Sequence, residues 1–315
     1  MGEFKVKGPG ALEALDKIFA RPVFDQKIGI CRYNFLLNPD GKVMDDLIVY
    51  RMGEEDFFIV VNAGTRFSDA EQIKSELPTG ISFEDVSDDI AKLDLQGPES
   101  ADVLAVAGID AASLPGYFKW ANVEINGIPA LLSRTGYTGE LGFELYFSAD
   151  KAVDMWEYLL SFEQVKPAGL GARDTLRLEM GYALYGHELN LKRTPLDAGY
   201  GPMLKLQENP ERTFIGKSAL TAEEPGQKLV GITLESRRAA REGADIMDMA
   251  GEIIGTVTSG AFGPSCGVAV AMGYIDSDKC PELGGEVQLA AGRAVLKGQI
   301  TSLPFYEGGS VRKKL

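Results

Sequence analysis

Over the first 90 residues apolar and polar positions alternate in short runs, interrupted by stretches of helical spacing. "GEFKVKG" (2–8) alternates as a strand, and "ALEALDKIFA" (11–20) places its apolar residues on one side of a helix. "CRYNFLLNPDGKVMDDLIVY" (31–50) carries two β-rich runs around Asn-Pro-Asp-Gly, whose turn chemistry predicts a hairpin. A third strand, "DFFIVVN" (56–62), leads into a helix over 65–76, which completes a first α+β unit.

A second α+β pattern follows, with strands expected near 90–95, 119–125, 129–135 and 142–147 and helices over 98–106, 150–162 and 172–182. Beyond residues 223–229 the pattern changes to short β-rich runs punctuated by glycine, such as "LVGITLE", "GEIIGTVTSG" and "AVLKGQITSLPF", which predict a small all-β barrel or sandwich. The expected domains are therefore 1–88, 89–224 and 225–315. The sequence shows no internal repeat and no low-complexity tract.

Composition agrees with several domains, since 315 residues exceed what one core usually organises. The 45% hydrophobic and 25% charged fractions are those of a soluble globular chain. No apolar run approaches the roughly 18–20 residues that span a bilayer. The start "MGEFKVKGPG" has no signal-peptide pattern, so a cytoplasmic protein without membrane contact is expected. A net charge of −14 disfavours nucleic acid as a partner. One histidine and three scattered cysteines argue against a metal site or a disulfide framework.

Candidate chemistry begins with Asp45 and Asp46. Successive strand side chains point to opposite faces, so at most one of them enters a shared pocket. Either the pair is a solvated strand start, or Asp46, Ile48 and Tyr50 form a ligand-facing row. "RTGYTGELGFE" (134–144) spaces Gly136, Gly139 and Gly142 by three. That spacing fits a tight hairpin loop, or a turn that presents Tyr137 and Glu140 before Glu144 resumes a strand. "AGLGARD" (168–174) lacks the third glycine of a dinucleotide fingerprint. Arg173 there lies in the first turn of a helix, the unfavourable end of the macrodipole, which calls for a carboxylate or ligand partner. His187 reads as a hydrogen-bonded lone imidazole, and nothing but its thiol marks Cys266 as a nucleophile.

Taken together, "YNFLLNPDGKVMDDLIVYR", "VVNAG", "LDLQGP", "SRTGYTGELGFELY", "GLGARDTLRLEMGYALYGHEL", "TPLDAGYG", "FIGKSAL" and "GTVTSGAFGPSCGVAVAMGYI" resemble, in order, the aminomethyltransferase family: the glycine cleavage T-protein and its folate-dependent relatives. The resemblance implies a three-domain arrangement, with two α+β (ferredoxin-like) folate-binding units and a C-terminal all-β barrel. It implies transfer of an aminomethyl carbon from lipoylated H-protein to tetrahydrofolate as cosubstrate, with release of ammonia. By the same resemblance Asp46 is the aspartate beside the reacting folate nitrogens, with Tyr33 and Tyr50 in its wall. Glu144 is the pteridine-binding glutamate, Arg173 the arginine paired with it, and Tyr137 an aromatic of the same pocket. Arg312 is a ligand-facing base, and Arg312–Lys314 a basic rim. Family members begin several tens of residues before the equivalent of "MGEF". Leu141 stands where the T-protein form has aspartate, and "GELGFELY" also resembles folate domains of sarcosine and dimethylglycine dehydrogenases. The alternatives are a folate-dependent demethylase of a small methylated amine or sulfonium compound, and a non-catalytic folate-binding protein.

Overall fold

Three antiparallel sheets follow one another in the computed structural model, which describes residues 1–222 and 224–314. The first is built from β1 (Gly2–Lys7), β2 (Cys31–Leu37), β3 (Val43–Arg51), β4 (Asp56–Val61) and β5 (Ser82–Asp85), in the order β2-β3-β4-β1-β5. α1 (Ala11–Ile18) and α2 (Arg66–Glu76) cover one face of it. Leu15 and Ile18 of α1 and Ile73 of α2 pack there on Phe4, Leu47, Val49 and Ile59, as the alternation of the strands requires. β5 has no counterpart among the expected strands. Its four residues, Ser-Phe-Glu-Asp, are too few and too polar to stand out by period.

The second sheet joins β6 (Ile90–Gln96), β7 (Trp120–Ile125), β8 (Ile128–Ser133) and β9 (Gly142–Ser148) in the order β6-β9-β8-β7. α3 (Ser100–Val106) and α4 (Ala152–Leu160) pack on one face through Val103, Leu104, Met155 and Leu159. The connectivity repeats that of the first unit: β6, α3, β7-β8-β9 and α4 follow one another as β1, α1, β2-β3-β4 and α2 do. Only the equivalent of β5 is lacking, and among the described residues β6 pairs with β9 alone. The repeat is one of connectivity only, and the sequence shows none. The uncovered faces of the two sheets meet at Cys31, Tyr50, Phe58 and Val60 on one side and Tyr146 on the other.

α5 (Leu170–Glu179) starts two residues before, and ends three before, the expected 172–182. Leu178 carries it onto Val270 and Met272 of the third sheet. That sheet is a closed six-stranded barrel, which decides between the barrel and sandwich expectations. It runs β10 (Gln227–Leu234), β13 (Val268–Asp276), β12 (Ile253–Gly263), β11 (Asp245–Met247), β14 (Glu286–Ala291) and β15 (Ala294–Thr301), and β15 closes on β10. Between α5 and the barrel, Ala183, Leu189, Leu204, Phe214 and Leu220 return to pack on Phe35 and Leu37 of β2. No described helix is long and apolar enough to cross a membrane.

Candidate functional site

The register of β3 separates its two aspartates. Asp45 is fully buried, while Asp46 turns to the other face and is half-buried. Asp46 lies opposite Phe35 in the β2–β3 ladder, so Tyr33, two residues back on β2, reaches it diagonally and donates its hydroxyl at 2.9 Å. Asn62, just past the end of β4, straddles the strand. Its Nδ2 donates to Asp45 Oδ1 at 2.8 Å and to Asp46 Oδ1 at 3.1 Å, and its backbone N–H donates to Asp45 Oδ2 at 2.9 Å. Burial, then the charge of Asp45, pushes the Asp46 carboxyl up to about 7 against the hydrogen bonds from Tyr33 and Asn62. Burial, followed by the charges of Asp46 and Tyr200, holds the Tyr33 hydroxyl protonated far above its ordinary range. The same charges reach Tyr137, so Tyr33, Tyr137, Tyr200 and Asp46 form one cluster.

A second cluster surrounds Glu144 on β9. Phe143 and Leu145 point into the core with α3 and α4, as alternation requires, and Glu144 points the other way. Its expected partner was Arg173; the partner present is Lys92 of β6. Lys92 Nζ lies 2.5 Å from Glu144 Oε1 and 2.9 Å from Asp94; the Lys92 and Glu144 side chains are largely buried and Asp94 lies at the exposed edge of the cluster. Burial alone would lower the Lys92 ammonium, but Glu144 and Asp94 outweigh it and raise it. Arg173 pairs instead with Asp94 at 2.9 Å, and its guanidinium sits 4.9 Å from the centre of the Tyr137 ring. Lys92 and Asp94 share a face of β6, and this nearer cation displaces the arginine from the glutamate. The expected carboxylate for a helix-start arginine is therefore present, on a residue that the sequence did not single out.

Thr135 donates to Glu144 Oε2, and the Tyr146 hydroxyl lies 3.3 Å from the same oxygen. Tyr50 is fully buried at the seam between the sheets, 3.0 Å from Ser133 Oγ and 3.2 Å from the Tyr146 hydroxyl. It supports the glutamate from behind and presents no open surface. The loop between β8 and β9 is held by its glycines: Gly139 has a φ of +75°, and a Cβ on Gly142 would lie 2.1 Å from Gln96 Oε1. Gln96 fills that space and donates to the carbonyls of Thr135 (3.1 Å) and Phe143 (3.3 Å). The loop is a shaped turn that places Tyr137 over Arg173 and stacks it on Tyr182, with ring centres 5.8 Å apart. The C-terminal segment closes over it, since Ser310 donates to Glu140 and Val311 N–H to the Gly139 carbonyl at 3.0 Å. Arg312 is exposed, near enough for its charge to act on Tyr117 and Tyr182.

Comparison with known proteins gives this geometry its context. The family profile described as "GCVT N-terminal domain" matches residues 1–208, and that described as "Glycine cleavage T-protein C-terminal barrel domain" matches residues 227–307. An aminomethyltransferase from Saccharopolyspora erythraea is 40% identical over 97% of this chain and 84% of its own length. One from Halothermothrix orenii is 40% identical over 97% of this chain and 86% of its own. The crystal structure of glycine cleavage system aminomethyltransferase T from Bartonella henselae superposes with a TM-score of 0.90 at 34% identity, over 98% of this chain and 85% of that one. The chain belongs to the glycine cleavage T-protein family of aminomethyltransferases.

Within that T-protein frame, Leu141 has a plain reading. It is 1% exposed and packs in the core with Phe143 and Leu145, turned away from Glu144. His187 hydrogen-bonds the Thr258 carbonyl at 3.0 Å, in keeping with a satisfied imidazole. Burial and Glu179 push the Cys266 thiol up, away from a reactive thiolate. The residues that the sequence reading passed over are Asn62, Lys92, Asp94, Thr135 and Tyr200. Asn62 and Asp94 stood in the quoted motifs "VVNAG" and "LDLQGP" and carried a signal, while the pairing of Lys92 with Glu144 depends on the β6–β9 register, which no local pattern reveals.

Proposed function

We propose that this T-protein family member transfers an aminomethyl carbon from the lipoyl arm of an H-protein to tetrahydrofolate and releases ammonia. The observation that carries this reading is the half-buried Asp46, held by Tyr33 and Asn62 amid tyrosines, in a chain whose relatives are aminomethyltransferases. The side chains present fit a reduced pterin. Such a ring is flat and bears N–H donors; Tyr33, Tyr137 and Tyr200 offer aromatic faces, Asp46 is an acceptor, and Glu144 Oε1 keeps a lone pair beyond its contact with Lys92.

When bound, tetrahydrofolate supplies the nitrogen that accepts the one-carbon unit. Asp46 sets a negative charge against the positive charge that develops there, and its raised proton affinity suits it to move a proton near neutral pH. Tyr33 and Asn62 fix the direction of its lone pairs. Lys92, Thr135 and Tyr146 hold Glu144 oriented as an acceptor, and the stack of Arg173, Tyr137 and Tyr182 limits access of water. Arg312–Lys314 form a basic rim for the anionic glutamate tail of the folate, an attraction that weakens as salt rises.

A glycine cleavage assay with lipoylated H-protein and tetrahydrofolate checks the reading. Turnover is expected in the wild type and its collapse in Asp46→Ala; unchanged turnover in that variant would remove Asp46 from the mechanism. Formation of 5-methyltetrahydrofolate from a small methylated amine without H-protein would point to a demethylase. Folate binding without transfer would point to a binding protein.

A further inference from the structure

Asp69, on α2, is fully buried, and neither of its carboxyl oxygens meets an N–H or O–H donor. The Thr65 hydroxyl beside it, which favours the charged form of Asp69, hydrogen-bonds the Asn62 carbonyl at 3.1 Å. What faces Asp69 is the side chain of Asp45, within hydrogen-bonding reach, and Asp45 is itself fully buried. Among the described residues no lysine, arginine or histidine forms a salt bridge with Asp45, Asp46 or Asp69. Two carboxylates cannot bond each other without a hydrogen, and two bare negative charges in a buried space repel strongly.

We propose that Asp69 and Asp45 hold one proton between them, and that this carboxyl–carboxylate pair fixes Asn62 and through it the Asp46 carboxylate, which makes Asp69 a positioning residue for Asp46. The chain of contacts is continuous. Asp45 accepts both the backbone and the side-chain N–H of Asn62, and the same Nδ2 holds Asp46 Oδ1. The groups that face Asp69 are Asp45 and Asp46 from β3 and Tyr185 from the segment after α5, with Thr65 at the N-cap of its own helix. Burial, then the charge of Asp45, pushes the Asp69 carboxyl up to about 9, which agrees with a retained proton. The link to Asp46 chemistry rests on the function proposed above; the shared proton does not.

Asp69→Asn mimics the protonated side chain with a permanent N–H donor, whereas Asp69→Ala removes charge and donor together. The wild type is expected to lose activity as pH rises through about 9, and Asp69→Asn to keep kcat within about threefold at pH 7 and to flatten that fall. Asp69→Ala is expected to lose about tenfold or more in kcat with little change in KM, as displaced catalytic groups do. Equal losses in both variants would overturn the positioning role. Stability reads the proton separately. A proton held in the folded state and released on unfolding makes wild-type stability fall as pH rises from the ordinary carboxyl range towards 9, and Asp69→Asn removes that slope. Equal slopes would overturn the shared proton even if Asp69→Ala failed to fold. Should Asp46→Ala stay active, the function reading fails while the stability comparison still decides the proton.

Discussion

At the scale of single residues, the environment of Asp46 sets a pH dependence. Its carboxyl is pushed up to about 7, so a reaction that needs the carboxylate gains rate as pH rises through that value. The hydrogen bond from Tyr33 favours the charged form; Tyr33→Phe is therefore expected to move the acidic limb of kcat upward by about one pH unit. A pH–rate profile reads this directly, and a limb that stayed in place would mean that Tyr33 does not tune Asp46. Lys92 poses a different question, of charge balance. Lys92→Met leaves Glu144 buried without its cation, at a cost of about 3–5 kcal/mol in urea unfolding, and adding Glu144→Gln should return most of it. Asp46 was legible from alternation and motif because both are local. Lys92 was not, because its role follows from which strand lies beside β9.

Among the elements, the β8–β9 loop shows how far a glycine spacing can be read. Three glycines at intervals of three fit a tight hairpin or a presenting turn, and only the structure shows what fills the space beside them. Gly142 has an ordinary backbone conformation, so the demand for glycine there is steric: the amide of Gln96 occupies the place of a Cβ. Gly142→Ala is therefore expected to cost about 1–3 kcal/mol through overpacking. Because Gln96 also holds the Thr135 carbonyl, the variant should weaken folate binding through Thr135 and Glu144. Thermal unfolding and folate titration of the same variant check both effects; full stability would show that Gln96 swings aside freely. The two α+β units illustrate the limit of local pattern. Their connectivity repeats, but the first buries Cys31, Tyr50 and Phe58 at the seam where the second supplies Tyr146, so the matching strands carry different side chains and local pattern does not show the repeat.

Across the whole molecule, the three sheets were legible from the change of period along the chain, because each unit has its own core and its own rhythm. How they are joined was not, since it depends on buried polar contacts between distant segments. The strongest of these lies under α5. Arg177, 1% exposed, donates to Glu188 at 3.0 Å and to Ser259 of the barrel at 2.8 Å, while Glu188, fully buried, accepts from Thr258 of the barrel at 2.6 Å. One ion pair thus ties the segment behind Tyr137 to β12. Arg177→Met removes the cation and leaves Glu188 buried and uncompensated, so a loss of about 3–5 kcal/mol is expected. Arg177→Met with Glu188→Gln removes the charge as well and should recover a large part of that loss. If the double variant were as unstable as the single one, the junction would rest on hydrogen bonds to Ser259 and Thr258 and not on charge. A denaturant series on wild type, both singles and the double separates the two, because a double-mutant cycle isolates the pair from everything else each side chain touches.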